Sequence, residues 1–197
     1  MGGAVCFHPR MFDRRYLPYW ATFFVFAATL VILWMMGRNV ICPCGDIRIW
    51  YSGDDSGQGS QHLFDWYSPS HLIHGFLFYG ATWLVLRRIG LGWRLLIATL
   101  VECAWEVGEN TEAVINRYRE FTVSGEYWGD AVINSAADIA AMFVGFWLAL
   151  RLPIWVSIAI IVGFEVFTTW LIRDGLALNV IMLLVPSEAI LNWQSGG

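Results

Sequence analysis

Five apolar runs divide this sequence, each of roughly the 17–25 residues that a bilayer crossing needs, and three of them carry ionisable side chains at helical spacing. The runs cover about 16–36, 70–86, 93–110, 130–150 and 153–172. In the third, a polar helical pattern continues to about residue 119. A charged group in the middle of a bilayer costs roughly 2.5–3.5 kcal/mol on insertion scales, so it persists where it pairs, binds an ion or does chemistry. The expected fold is therefore an all-α, polytopic membrane helix bundle with about five transmembrane helices. A last apolar stretch, 176–185, is too short to cross and reads as a re-entrant or interfacial segment, with Trp193 as an interface anchor.

The ionisable groups form three stripes. His71 and His74 are i, i+3 and share a helix face. Glu102, Glu106 and Glu109 are i, i+4, i+7, a stripe about 10 Å long at 1.5 Å per residue. Asp130, Asn134 and Asp138 are i, i+4, i+8. The runs alternate in direction, so all three stripes should meet at similar depth near one membrane face.

Arginines assign that face. Arg10, Arg14, Arg15, Arg87, Arg88, Arg94 and Arg151 fall on one side, the cytoplasm by the positive-inside rule. The other side carries Arg38, Arg48, Arg117, Arg119 and Arg173 among eight acidic residues. This gives a multi-pass protein of a bacterial inner (plasma) membrane, N-terminus inside, with the stripes in the outer half of the bilayer. Residues 1–15 read as a cytoplasmic N-terminal tail. Residues 16–197 read as one transmembrane helical domain with outer loops 37–69 and 112–129, and the first apolar run as a retained span, not a signal peptide.

Composition agrees: 57% of the 197 residues are hydrophobic, only 14% are charged, and mean hydropathy is +0.54. A net charge of −4 with no basic block argues against nucleic acid as a partner. All twelve basic residues are arginine, which removes Schiff-base lysine chemistry and a Walker-type phosphate lysine.

Imidazole plus carboxylate is a ligand set for a divalent metal, Zn, Mn or Fe. The candidate metal ligands are His71, His74, Glu102, Glu106, Asp130 and Asp138; Glu109 and Asn134 are the candidate catalytic groups. His71 and Asp130 stand near helix N-termini, where the macrodipole favours neutral imidazole and ionised carboxylate, the ligating forms. A hydrogen-bonded network that only packs helices is the competing reading. Glu165, in the fifth run, either joins the cluster or pairs elsewhere.

Cys42 and Cys44, in ICPCG, fall on the outer side, where an oxidising compartment permits a disulfide, although a CxC ring is tight. Alternatively they make half a zinc site, which His62 and Asp65 would complete. Cys6 and Cys103 have no paired motif. Of twelve tryptophans, Trp20, Trp50, Trp66, Trp93, Trp128, Trp170 and Trp193 lie near span ends or outer loops and read as interfacial belts.

The runs DWYSPSHLIHGFLFYG, GWRLLIATLVECAWEVGEN and YWGDAVINSAADIAAMFVGFWLALRLPIWV resemble an uncharacterised inner-membrane family known mainly from alphaproteobacteria. The resemblance covers nearly the whole chain from ICPCG onward and brings no activity with it. A looser resemblance is to the VanZ-like membrane proteins. There His74 matches the His of an early span, Glu106 and Glu109 the Glu and the following Gln position, and Asp130 and Asn134 the Asp-x-x-x-Asn that opens the next span. Ser70 and Asp138 depart from that pattern.

Two functions follow as expectations. One is a metal-dependent hydrolase or transferase acting on a lipid or cell-envelope substrate at the outer leaflet. The other is a non-catalytic accessory or assembly subunit of a larger membrane complex, respiratory or photosynthetic. A proton or ion pathway ranks last, because the inner halves of the three runs lack polar groups.

Overall fold

A computed structural model describes residues 14–53 and 57–196. Cys6 and Arg10, cited above, lie outside them, as do Asp54 and Asp55, two of the eight acidic residues counted above, and nearly all of the tail 1–15. Among the described residues there are eight α-helices and no strand: α1 (Leu17–Met35), α2 (Ser68–Val85), α3 (Leu91–Glu109), α4 (Glu112–Phe121), α5 (Val132–Arg151), α6 (Ile154–Ile172), α7 (Leu176–Leu184) and α8 (Glu188–Gln194). One isolated β-bridge joins Trp50 to Phe64.

Three helices, α1, α5 and α6, are long and apolar enough to cross a membrane. α2 and α3 have 18 and 19 residues, the right length, but their polar side chains dilute the apolar pattern. Proline sets several ends, since its fixed φ suits a first turn and interrupts an interior. Pro18 and Pro69 lie in the first turns of α1 and α2, and Pro153 separates α5 from α6.

The expected polar extension of α3 to residue 119 is instead a separate helix. The chain breaks at Asn110 and Thr111. The Thr111 hydroxyl caps α4 by accepting from the Val114 amide at 3.4 Å, and the Asn110 side chain bridges the end of α3 to Asp130, its Nδ2 donating to the Glu106 carbonyl at 3.0 Å and to Asp130 at 2.6 Å. Gly108, Asn110 and Thr111 are weak helix formers, and a side-chain partner outside the helix decides the break.

α2 packs chiefly on α5, and α3 on α1. In lipid, apolar burial drives helices together little, so close van der Waals fit and interhelical hydrogen bonds must do it. The α2–α5 crossing shows the fit. A Cβ at Gly75 would run into the Met142 carbonyl, and one at Gly145 into the Leu72 carbonyl. Below this crossing lies the apolar core of Ala98, Cys103, Ile139, Met142 and Phe146, with Phe26, Tyr79 and Phe143 packed against it. Arg94 lies over the Tyr79 ring at 4.8 Å, closing the end of the bundle away from the polar stripes.

The long loop before α2 closes the opposite end. Ser60, Asn39 and Val40 carbonyls accept from the Ala131, Val132 and Ile133 amides at 2.9, 2.8 and 3.1 Å, which satisfies the start of α5 without a side-chain cap. α7 lies across the same end. Glu165 accepts from the Leu176 and Ala177 amides at 2.9 and 3.1 Å, so its carboxylate caps α7 and does not join the polar stripes. Tyr118 donates to Asn179 at 2.9 Å, and the Arg117 guanidinium donates to the Leu183 carbonyl, which ties α7 to α4.

The glycine crossing gives a paired expectation. Gly75→Ala or Gly145→Ala should destabilise the detergent-solubilised protein by roughly 1–3 kcal/mol through overpacking. Gly80→Ala, on the same helix with nothing within 4 Å of its added Cβ, should be neutral or stabilise by up to about 1 kcal/mol. Thermal unfolding followed by circular dichroism separates the two.

Candidate metal centre

Glu102, wholly buried on α3, faces both histidines of α2. His71 Nδ1 lies 2.8 Å from Glu102 Oε1, and His74 Nδ1 lies 2.9 Å from Oε2. Against a carboxylate each Nδ1 is the donor, and in the neutral ring each Nε2 is then a lone-pair nitrogen. The i, i+3 spacing on α2 places the rings 5.3 Å apart, the right separation for one carboxylate to reach both. His74 is further fixed by stacking on Phe78 and an edge contact with Trp105, at 5.3 and 5.7 Å.

One turn further along α3, Glu106 is also fully buried. Its Oε1 stands 3.3 Å from His71 Nδ1, but that ring proton is already directed at Glu102. Neither Glu106 oxygen accepts a hydrogen bond, and neither does Oδ1 of Asp138. Asp138 Oδ2 lies 4.0 Å from His71 Nε2. Ligand atoms of His71, Glu106 and Asp138 lie within 4.8 Å of one another, as do those of Glu106, Glu109 and Asp130, and those of His71, His74 and Glu102. The three predicted stripes therefore converge on one buried cluster.

Asp130 is held differently. Asn110 Nδ2 donates to its Oδ2 at 2.6 Å, and the Tyr127 hydroxyl donates to Oδ1 at 2.9 Å. The Asp130 amide in turn donates to Asn110 Oδ1 at 2.8 Å. Burial, and then the nearby Asp130 charge, push the Tyr127 hydroxyl well above its usual range, which keeps it a donor. Neither Asn110 nor Tyr127 was expected from the sequence. The signals were local: an Asn at the end of the Glu stripe, and YWGD leading into the Asp stripe.

A cavity of about 60 Å³ opens beside the cluster, lined by His71, His74, Glu109, Asp130, Asn134 and Asp138 together with Tyr67, Tyr118 and Asn179. A site for one water needs roughly 10–15 Å³ on this measure, so there is room for an ion and a few waters or a small polar group. Asn134 faces the cavity but spends its amide on the His62 and Leu63 carbonyls, at 2.9 and 3.4 Å. It anchors the loop to α5. Next to the cavity runs an apolar groove of about 830 Å³ between α2, α3, α6 and α7. His74, Trp105 and Leu176 border both.

Cys42 and Cys44 form a disulfide, which takes both sulfurs out of the thiolate form a zinc site needs. His62 does stand near them, but Asp65 does not complete the set. It accepts from the Ser60 and Tyr67 amides, both at 2.8 Å, and so shapes the turn into α2. Burial and then the Arg48 charge lower the His62 pKa and favour its neutral form. Trp128 is not a belt residue: its indole donates to the Gly57 carbonyl at 3.0 Å and pins the two outer loops together. Trp20, Trp93, Trp170 and Trp193 are exposed, as a belt requires.

Residues 33–196 match a family model described as "Protein of unknown function (DUF2585)". The chain is 59% identical over 186 residues to a UPF0314 protein of Paracoccus denitrificans, covering 94% of this chain and 96% of that one. It is 51% identical over 182 residues to a UPF0314 protein of Novosphingobium aromaticivorans, with 90% and 92% covered. A UPF0314 protein of Sinorhizobium fredii is 51% identical over 172 residues, 87% of each chain. No solved structure matches.

Asp174, in the turn between α6 and α7, gives a pH expectation. Burial raises its pKa to about 6, opposed by the Gly175 amide and the Tyr67 hydroxyl. The folded state thus holds a proton that the unfolded chain releases near pH 4. The stabilising contribution is complete below that value and is lost as pH rises through about 6. Wild-type stability should fall between pH 4.5 and 7 by on the order of 2 kcal/mol from this group, and Asp174→Asn should flatten that slope. Chemical denaturation in detergent across this range checks it.

Proposed function

The chain belongs to the DUF2585 family, and from that premise we propose that it is a metal-dependent hydrolase or transferase of the bacterial inner membrane, acting on a lipid or another envelope-linked amphiphile. The observation that carries this reading is Glu106, a fully buried carboxylate within ligand reach of His71 and Asp138 whose two oxygens accept no hydrogen bond. A buried carboxylate that accepts no hydrogen bond costs several kcal/mol. A divalent cation offsets that cost where no arginine is at hand, and the ion pairs these acids make are with His71 and His74.

His71, Glu106 and Asp138 hold the ion, and the mixed N/O donor set suits Zn, Mn or Fe. Glu102 is a positioning residue: it takes the Nδ1 protons and turns both Nε2 atoms outward. When bound, the ion supplies Lewis-acid polarisation of an ester or phosphoryl oxygen and activates water. His74 stands on the wall between cavity and groove, placed to move a proton to or from the substrate, and Glu109 faces the cavity as a base. An acyl or prenyl chain lies in the apolar groove while its polar head reaches the cavity; the shared border at His74, Trp105 and Leu176 supports this. Of the residues matched to the VanZ-like pattern, His74, Glu106, Glu109 and Asp130 sit in the metal-ligand groups and Asn134 lines the cavity.

The proposed topology has five crossings, α1, α2, α3, α5 and α6, with the N-terminus cytoplasmic and the cavity toward the periplasm. α2 and α3 turn their ionisable residues toward each other and toward Asp130 and Asp138 of the α5 wall, which lets them share the depth of the apolar helices. A second reading, an accessory subunit of a larger membrane complex, is favoured by α6. That helix buries only Thr168 and leaves Trp155 and Trp170 more than 70% exposed. Co-purification of the tagged protein with a larger complex would select it.

Purified, folded protein should contain a stoichiometric divalent metal by elemental mass spectrometry. His71→Ala and Asp138→Asn should lose it, and Glu102→Gln should weaken metal affinity by roughly 10–100-fold. Incubation with inner-membrane lipid extract and lipid-chain mass spectrometry should show turnover that these variants lack. Metal-free wild-type protein that still turns lipid over would overturn the reading.

A further inference from the structure

Glu106 belongs to two of the ligand groups at once: with His71 and Asp138 on one side, and with Glu109 and Asp130 on the other. We infer that the centre is dinuclear, with Glu106 bridging two divalent cations, one held by His71 and Asp138 and the other by Glu109 and Asp130. This rests on the metal reading above and extends it from one ion to two.

Three observations carry it. The first is the state of Glu106 itself. It has two syn-related oxygens, both without a hydrogen bond and both wholly buried, and one oxygen for each of two ions satisfies both. A single ion bound through one oxygen leaves the other orphaned, at the cost of an unpaired buried acceptor.

The second is charge. Five carboxyl groups, Glu102, Glu106, Glu109, Asp130 and Asp138, meet here, four of them 6% exposed or less. Two imidazoles face them, and both are engaged by Glu102. With all five ionised, as metal ligands must be, one divalent ion leaves a large negative excess in a low-dielectric site, whereas two bring the cluster close to balance.

The third is the support behind Asp130. Asn110 and Tyr127 each donate to one of its oxygens, as groups behind a ligating carboxylate do, and each oxygen keeps a second lone pair. Carboxylate-bridged pairs place their ions about 3.5–4 Å apart, a spacing that lets one ion hold the substrate oxygen and the other the attacking one. The ligand class is thus a pair of oxygen-preferring divalent ions. The second position, with three carboxylates and no imidazole, is the harder of the two and suits Mn²⁺.

The test uses the full chain in detergent, stripped with chelator and reloaded with Mn²⁺ alone. Elemental analysis should give two Mn²⁺ per chain. Low-temperature electron paramagnetic resonance should show an exchange-coupled pair in place of the hyperfine pattern of isolated Mn²⁺. The double variant Glu109→Gln/Asp130→Asn should bind one Mn²⁺ and show the isolated-ion spectrum. Glu106→Gln should weaken both positions by at least tenfold. Each variant is compared at matched monodispersity and helical content, and Glu109→Gln alone serves as a milder second variant. Two ions without coupling would overturn the bridge. One ion in the wild type would overturn the pair while leaving the single-ion centre intact, and none would overturn both.

Discussion

Glu102 accepts from two imidazoles and is sealed from water, and this clasp sets the register of α2 against α3. Sliding either helix by one residue would swing the histidines off the carboxylate and bury a bare charge. The glycine contact between α2 and α5 then fixes the third wall, because the backbones approach too closely for any Cβ. With both constraints in place, Glu106 and Asp138 are brought to His71 with both Glu106 oxygens and the Asp138 Oδ1 accepting no hydrogen bond. The geometry of the cluster is thus a by-product of two packing constraints, one polar and one steric.

That division explains what the residues announced in advance. Helical periodicity made the three stripes visible, and antiparallel hairpins made their meeting nearly unavoidable, so His71, His74, Glu102, Glu106 and Asp138 were legible as a cluster. Their separate duties were not. Spacing alone ranks Glu102 and Glu106 as equivalent ligands, yet one is saturated by imidazole protons and the other by nothing. That distinction depends on side-chain direction across a helix interface, which a one-dimensional pattern does not encode. Asn110 and Tyr127 were missed for the same reason. They belong to segments read as helix interior and as loop, and they become partners of Asp130 only because α3 breaks where it does.

The apolar runs located five long helices, α1, α2, α3, α5 and α6, of which α1, α5 and α6 are long and apolar enough to cross a membrane. The buried ionisable residues lower the hydropathy of the helices that carry them, so α2 and α3, richest in the polar cluster, are the long helices whose composition departs most from a membrane span. Glu165 shows the converse. It was a candidate for the cluster because it lies within an apolar run, but α7 folds back and takes its carboxylate for the first-turn amides. The fate of a mid-span acid was decided by an element more than ten residues downstream.

The first turn of α5 takes its hydrogen-bond acceptors from a segment far upstream: Asn39, Val40 and Ser60 supply the carbonyls. Those residues leave the ribosome well before α5 does, so the acceptors are made before the donors they serve. Until they fold over it, the first turn has donors without acceptors, a state that lipid tolerates poorly. Docking of the early loop is therefore a precondition for closing this end of the cavity, and the wall that carries Asp130, Asn134 and Asp138 is finished only when residues far upstream fold onto it.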